Sequence, residues 1–434
     1  MRVAVIGAGA AGCFCAVELR RRLPSAQVTV FEAGPKALAK VALTGGGRCN
    51  LTNDFHGIRK LEEAYPRGAA VVRNAFKAMS PERTYAWWES AGVALTTQPD
   101  GCVFPQSQDA MEVVRTLERV MRSSGVDLQC GRRVTRIHED LSLEIEGQDE
   151  PFRADAVLLA SGGLKEAALR SLLPDSVQTT PTVPSLFTLK VPDSGLNALM
   201  GTVVPDARLE LAGSGLSASG ILLVTDWGLS GPATLRLSSY AARVLAQSAY
   251  KGEIAVNWLN ADAAQVHAWT LEASSRQGRR QLSGFRPQGL SDRLWEHLLT
   301  RAGADRTQRW AEISKDGRAR LEAALLNDRY PVDGRARFKE EFVTCGGVSL
   351  DAVNVKTLEC KTVPGLFFSG EVLDIDAITG GFNLQAAWST GYMAAIGIFS
   401  YICHTYEEDT PDLHQHPGSV DFLPPGPEGG NPDR

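Results

Sequence analysis

Cysteine pairs at metal or redox spacing are missing from this chain. Its eight cysteines (13, 15, 49, 102, 130, 345, 360 and 403) form no CxxC and no CxxxxC, which excludes a zinc ribbon, a secreted disulfide framework and a dithiol reductase. A second strand–GxGxxG–helix unit is also missing, so only one stable dinucleotide site is encoded. Glu371, Asp374 and Asp376 stand without a histidine or calcium-loop spacing, so no metal is expected. No histidine or tyrosine stands out as a proton donor, and no general acid is assigned. The start has no basic n-region followed by an apolar h-region, and a cytoplasmic protein in a reducing compartment is expected. Between Asp376 and His404 there is no charge, yet Thr379, Gly380, Gly381, Asn383, Gln385 and Trp388 interrupt the apolar run. A buried helix is expected there, not a membrane span. A net charge of −5 gives no general attraction to nucleic acid or to an anionic membrane.

What is present is 44% hydrophobic and 22% charged residues in a 434-residue chain, the balance of an ordinary globular protein of two or three domains. The opening residues are the most informative. Val3-Ala-Val-Ile6 reads as a buried strand, Gly7-Ala-Gly-Ala-Ala-Gly12 as a turn, Cys13 to Leu23 as a helix with Arg20, Arg21 and Arg22 at its end, and Gln27 to Phe31 as a second strand. Gly7 permits the tight turn, Gly9 lets backbone N–H groups approach a pyrophosphate, and Gly12 lets helix and sheet pack closely. Glu32 follows Gly12 at the usual distance for an acid that bonds an adenosine ribose, and its charge would repel a 2′-phosphate. FAD or NAD is therefore expected over NADP in this site, with Gly7, Gly9, Ala11, Gly12, Glu32 and Ala33 in contact.

Two later stretches, 155–163 and 362–371, speak for FAD. The run Val126 to Val134 alternates like a strand, and Asp155-Ala-Val-Leu-Leu-Ala-Ser-Gly-Gly163 is an apolar strand ending in small residues. Thr362 to Glu371 is another strand, ending in Gly-acid. They resemble the later signatures of two-dinucleotide-binding-domain flavoproteins, the last of which sets an acid against the ribityl chain. The sites expected on this ground are Val134, Ser161, Gly162, Gly370, Glu371 and Asp374. Successive glycines in Leu43-Thr-Gly-Gly-Gly-Arg-Cys-Asn-Leu-Thr-Asn53 can form an anion-binding concavity against the cofactor. Arg48 would add a fixed positive charge, with Asn50, Thr52 and Asn53 holding the loop. Thr379-Gly-Gly-Phe-Asn-Leu-Gln385 opens the uncharged helix, whose free N–H groups would face the flavin N1–C2=O region, with Gly381, Phe382 and Asn383 as contacts.

The stretch Lys40 to Asn53 resembles the signature of the BaiN-type bacterial flavoproteins, NAD(P)/FAD-dependent or aminoacetone-oxidase-like FAD-binding enzymes. Three further blocks are similar to that family: Gly101 to Ser107, Thr225 to Pro232, and Gly346-Gly-Val with Gly370 to Gln385. Cys102 stands where the family usually has arginine and Asp226 where it has histidine, whereas Glu371 stands where the two-dinucleotide-binding-domain signature usually has aspartate. The resemblance covers about residues 1 to 403 and places Lys40, Gly45, Gly47, Arg48 and Asn50 at the cofactor.

The expected fold is α/β: a Rossmann-like FAD-binding domain in two parts (1–185 and 341–403), interrupted by a small β domain (186–260) and a helical domain (261–340). A disordered tail (404–434), with solvent-exposed His414 and His416, is expected to follow. From Arg276 to Lys339 there are 15 Lys and Arg against 8 Asp and Glu, a charge excess that reads first as a solvated face. The function expected is an FAD-dependent oxidoreductase that reduces or dehydrogenates a small to medium organic substrate, an enone-type reduction being what the resemblance implies, with NAD(P)H docking transiently as electron donor. An amine or aminoketone oxidase is the alternative within enzymes. An RNA-associated flavoprotein, gripping phosphates through the basic stretch, is the alternative from another class. No oligomeric state follows from the sequence.

Overall fold

The computed structural model describes residues 1–335 and 343–405. The end of the basic stretch, residues 336–339, and the tail with His414 and His416 lie outside the described residues. The chain divides into two compact units, Met1–Val183 with Val343–Arg434, and Pro184–Phe342.

The first unit is built on a five-stranded parallel sheet. Its strands are β1 (Arg2–Ile6), β2 (Gln27–Glu32), β3 (Asp127–Cys130), β4 (Ala156–Leu159) and β5 (Leu366–Phe368), in the order β5-β4-β1-β2-β3. Strands covered on both faces must be apolar throughout, and Val3, Ala4 and Val5 of β1 and all of β4 are fully buried. The expected strand Val126 to Val134 ends early: β3 stops at Cys130, and Val134 starts a separate antiparallel strand, Val134–Ile137. Parallel order brings the C-terminal ends of β1, β2, β4 and β5 to one edge. Gly7, Glu32, Ser161 and Gly370 all sit there.

Helix α1 (Ala10–Arg22) follows β1, and its arginine run has a local cause. Glu18 is fully buried and meets Arg21 at 2.7 Å, Arg22 at 2.8 Å and the Trp87 indole N–H at 3.0 Å. A buried carboxylate is tolerated only when paired in this way, and the cations also complement the helix C-terminus. The last described element, α2 (Phe382–Thr405), is buried over most of its length. It approaches α1 so closely that a Cβ on Gly391 would lie 2.6 Å from the Ala11 carbonyl oxygen. No helix among the described residues is long and apolar enough to cross a membrane.

In the second unit, six strands form an antiparallel sheet in the order 189–190, 228–230, 216–224, 203–211, 251–257 and 328–333. The stretches read from sequence as a β domain and a helical domain share one core here: Leu209 and Trp258 pack in the same cluster as Trp295, Trp310 and Leu321. The last strand, Asp328–Asp333, comes from beyond the helices and pairs with Lys251–Asn257, which ties the two stretches together.

Candidate functional site

The site is the C-terminal edge of the parallel sheet. Gly7 takes φ +104, and a Cβ there would lie 2.5 Å from the Ala160 carbonyl oxygen. At Gly12 a Cβ would lie 2.1 Å from the Gly7 carbonyl oxygen. Both therefore need glycine for close packing. Gly9 differs, because nothing stands within 4 Å of its missing Cβ. It precedes α1 in extended conformation, and no side chain caps the helix. The result is a helix N-terminus with open space in front of it, the arrangement that accepts phosphate oxygens.

Glu32 ends β2 with both carboxylate oxygens engaged by backbone: Ala8 N–H donates to one at 2.9 Å and Gly34 N–H to the other at 2.7 Å. These bonds aim the carboxylate across the glycine turn and leave further lone pairs for a ligand hydroxyl. Ala33, beside it, is exposed. The chain after β3 passes along the same place, as Arg132 N–H donates to the Glu32 carbonyl and Gly131 N–H to that of Gly34, each at 2.8 Å. This brings buried Val134 to the end of β2.

Across the edge, Gly162 takes φ +70, with Lys40 Nζ and a Glu371 oxygen both within 4 Å of its missing Cβ. Lys40 meets Glu371 at 3.4 Å, and Thr344 N–H donates to the other Glu371 oxygen at 2.8 Å. Both Glu371 oxygens are thus engaged inside the protein. The Ser161 hydroxyl donates to the Gly162 carbonyl at 3.4 Å. Gly370, at φ +73, has room for no Cβ, which would lie 2.9 Å from Ala11 Cβ. Asp374 accepts from Gly346 N–H at 3.1 Å.

The stretch read from sequence as a connection and loop is more regular than expected. Residues Ala39–Gly47 form helical turns broken at Thr44, Gly45 and Gly46. Gly45, Gly46 and Gly47 all have positive φ, and Gly46 and Gly47 face open space. Arg48 is exposed, with its guanidinium 4.5 Å over the Phe104 ring and bonds to the Gly45 carbonyl and the Gln108 side chain. Cys49 is buried, and burial pushes its thiol up to about 12, which fits a packed thiol and not a nucleophile.

This loop is stitched to the turn that opens α2. With its amide turned so that the oxygen faces Gly381 N–H, Asn50 accepts from that group at 3.2 Å and donates to the Thr52 carbonyl at 3.1 Å, while Asn53 donates to the Gly380 carbonyl at 3.0 Å. Gly381 cannot carry a Cβ, since it would lie 2.2 Å from the Thr52 oxygen. Phe382 and Asn383 turn their side chains into the protein. The Phe382 ring packs against Phe55 with centroids 5.0 Å apart, and Asn383 bonds the amide and carbonyl of Ala377 at 3.0 and 3.1 Å. Both side chains thus help to hold the turn.

Sequence reading missed the clamps behind this turn. Gln385 bonds Thr52, Thr84 and Ser389 in the interior, and Arg67 pairs with Asp376. Their separations in sequence leave no local signal. Cys345, Asp374 and Asp376 bring possible ligand atoms within 4.8 Å of one another, but Arg67 engages Asp376 and Gly346 N–H engages Asp374, which accounts for the carboxylates without an ion.

The residues fit FAD: an uncapped helix with open space at Gly9, a carboxylate held by backbone at the end of β2, and open positive-φ glycines at 46 and 47. Comparison with known proteins agrees. Residues 1–397 match the family model described as the HI0933-like protein Rossmann domain. A 3-dehydro-bile acid delta(4,6)-reductase of Clostridium scindens is 30% identical, across 91% of this chain and 98% of the relative. A ribosomal RNA dihydrouridine synthase of Haemophilus influenzae is 28% identical, across 91% and 97%. Among solved structures, a quinol-fumarate reductase with menaquinol molecules is similar at a TM-score of 0.48 and 13% identity, across 93% of this chain and 71% of that one. The chain belongs to the HI0933-like family of Rossmann-domain flavoprotein oxidoreductases.

Proposed function

We propose that this protein is an FAD-dependent reductase that saturates a carbon–carbon double bond conjugated to a carbonyl, with NAD(P)H docking transiently as electron donor. The observation that carries the reading is the convergence at one sheet edge of the open Gly9 turn, the oriented Glu32 carboxylate and the stitched Gly380–Gly381 turn. In this reading Gly7, Gly9, Ala11 and Gly12 present backbone to the pyrophosphate. Glu32 accepts from the ribose hydroxyls, and Ala33 and Val134 border the adenosine. Lys40, Ser161, Gly162, Gly370, Glu371 and Asp374 line the path towards the ribityl chain. Gly45, Gly47, Arg48, Asn50, Gly381, Phe382 and Asn383 frame the ring, partly through backbone and partly by holding one another.

FAD, when bound, supplies the two-electron chemistry that these side chains lack. The protein's part is positional and electrostatic. The α2 N-terminus directs N–H groups and the positive end of the helix dipole to the ring edge, and the glycine turns let backbone come close. Support for the substrate class comes from the relatives' names, since a delta(4,6)-reductase and a dihydrouridine synthase both denote hydrogens added across a double bond. Under anaerobic conditions, NAD(P)H and a conjugated enone should give a saturated product. An amine or aminoketone that bleaches the flavin without NAD(P)H, with oxygen restoring the colour and the enone untouched, would favour the oxidase alternative.

A second reading takes RNA as the carrier of the double bond. It is favoured by the relative named for ribosomal RNA and by Arg279, Arg280 and Arg309, which are exposed on neighbouring segments joined at Gln281 and Arg309. Binding through such groups releases counterions and weakens steeply with salt. RNA retained at low salt and released at moderate salt supports this reading; no retention at low salt removes it.

A further inference from the structure

We infer that the buried Arg67–Asp376 ion pair is a positioning device for the cofactor-facing turn, holding its geometry and balancing the Asp376 charge beside it. The inference rests on the FAD reading of the site.

Residues 64–68 run beside 375–382 and are fastened to them repeatedly. The Arg67 guanidinium donates through two nitrogens to the two oxygens of Asp376, and the backbones of these residues also form a bridge. Ile378 N–H donates to the Ala64 carbonyl at 2.9 Å, and Tyr65 O–H to the Phe382 carbonyl at 2.8 Å. Gly68, at φ +79, lies so close to Ile375 that a Cβ would come within 2.4 Å of its side chain. Asn50 and Asn53 hold the opposite side of the same turn.

The pair itself is out of solvent, with the Asp376 side chain fully buried and that of Arg67 12% exposed. Buried ion pairs are weak stabilisers relative to apolar packing, but removing one partner strands a charge at low dielectric. Asp374 and Cys345 lie within ligand distance of Asp376, so a stranded Asp376 carboxylate would also face a second acid. Asp376 is three residues from the start of the Thr379–Phe382 turn. A change of one unit of charge there acts on any electron-rich ring edge held by the turn, and removing the cation or the anion acts with opposite sign.

The test uses the full-length protein with Arg67→Met, Asp376→Asn and the double substitution, reading FAD affinity by fluorescence titration and the midpoint potential of the bound cofactor by anaerobic titration. Both single variants should bind FAD about tenfold or more weakly. The potential should fall in R67M, where a carboxylate is left, and rise in D376N, where a guanidinium is left. The double variant should lie nearer to wild type than either. If R67M does not fold, the sign in D376N decides, with R67K expected to hold the wild-type potential. Potentials that stay put or move the same way in variants that bind FAD would make the pair a fold brace only. Failure of the unaltered protein to bind FAD would instead overturn the functional reading on which this rests.

Discussion

Gly9 and Gly12 sit three residues apart in one turn, and the structure predicts opposite consequences for adding a methyl group to each. At Gly12 the new Cβ would stand 2.1 Å from the Gly7 carbonyl oxygen and 3.2 Å from Val5 Cγ1. The first contact is with backbone, so the turn must open by more than an ångström. Overpacking of this severity costs about 3 kcal/mol, which for a unit of this size lowers the apoprotein melting temperature by roughly 6–12 °C. At Gly9 the Cβ meets nothing within 4 Å and φ is −86. Losing glycine before a helix and restricting the unfolded chain are opposed effects of similar size, so apoprotein stability should change by less than about 1 kcal/mol. The open space matters only when the pyrophosphate is there. Gly9→Ala should then weaken FAD by at least about tenfold, or 1.4 kcal/mol. Thermal unfolding of the two apoproteins and fluorescence titration with FAD separate these effects. Gly9→Ala with wild-type affinity would refute a pyrophosphate at this turn, and Gly12→Ala with wild-type stability would refute the packing argument.

Other substitutions test other parts of the site. Glu32→Ala removes a charged acceptor and should weaken FAD roughly 10- to 100-fold in equilibrium titration; tight retention of cofactor would remove Glu32 from the ribose. Arg48→Ala should lower the midpoint potential of the bound flavin, whereas an unchanged potential would leave Arg48 as an exposed side chain stacked on Phe104. Cys49 makes a pH prediction. Its folded thiol titrates at about 12, while the unfolded thiol titrates near about 8.5. Above that lower value the unfolded chain binds fewer protons, so stability should fall as pH rises towards 12, by up to about 1.4 kcal/mol per pH unit. Denaturant unfolding between pH 7 and 10.5 should show a shallower decline in Cys49→Ala, and an identical slope in both proteins would contradict the assignment.

Local chemistry made the sheet edge legible. A buried strand, a glycine turn, a helix and an acid follow one another between Val3 and Glu32, and each obeys backbone rules that operate over a few residues. The small residues after β4 and the Gly-acid after β5 were readable for the same reason. The neighbours of those strands were not, because register between Val157 and Leu366 depends on packing over two hundred residues. The same limit hid Arg67 from Asp376 and Thr52 from Gln385. Phe382 and Asn383 were read as contacts from their place at a helix start, but side-chain direction is decided by what packs nearby, here Phe55 and the Ala377 backbone. Glu371 illustrates a third case: the acid was visible in sequence, its engagement by Lys40 and Thr344 only in three dimensions.

The central claim is met most directly by an anaerobic visible spectrum of the purified protein, reconstituted with FAD and then mixed with NADH or NADPH. A bound-flavin spectrum that bleaches with one of the two donors is the predicted result. A protein that stays colourless after reconstitution with FAD would contradict the account at its base, and a flavin band that neither donor bleaches would contradict the proposed use of NAD(P)H.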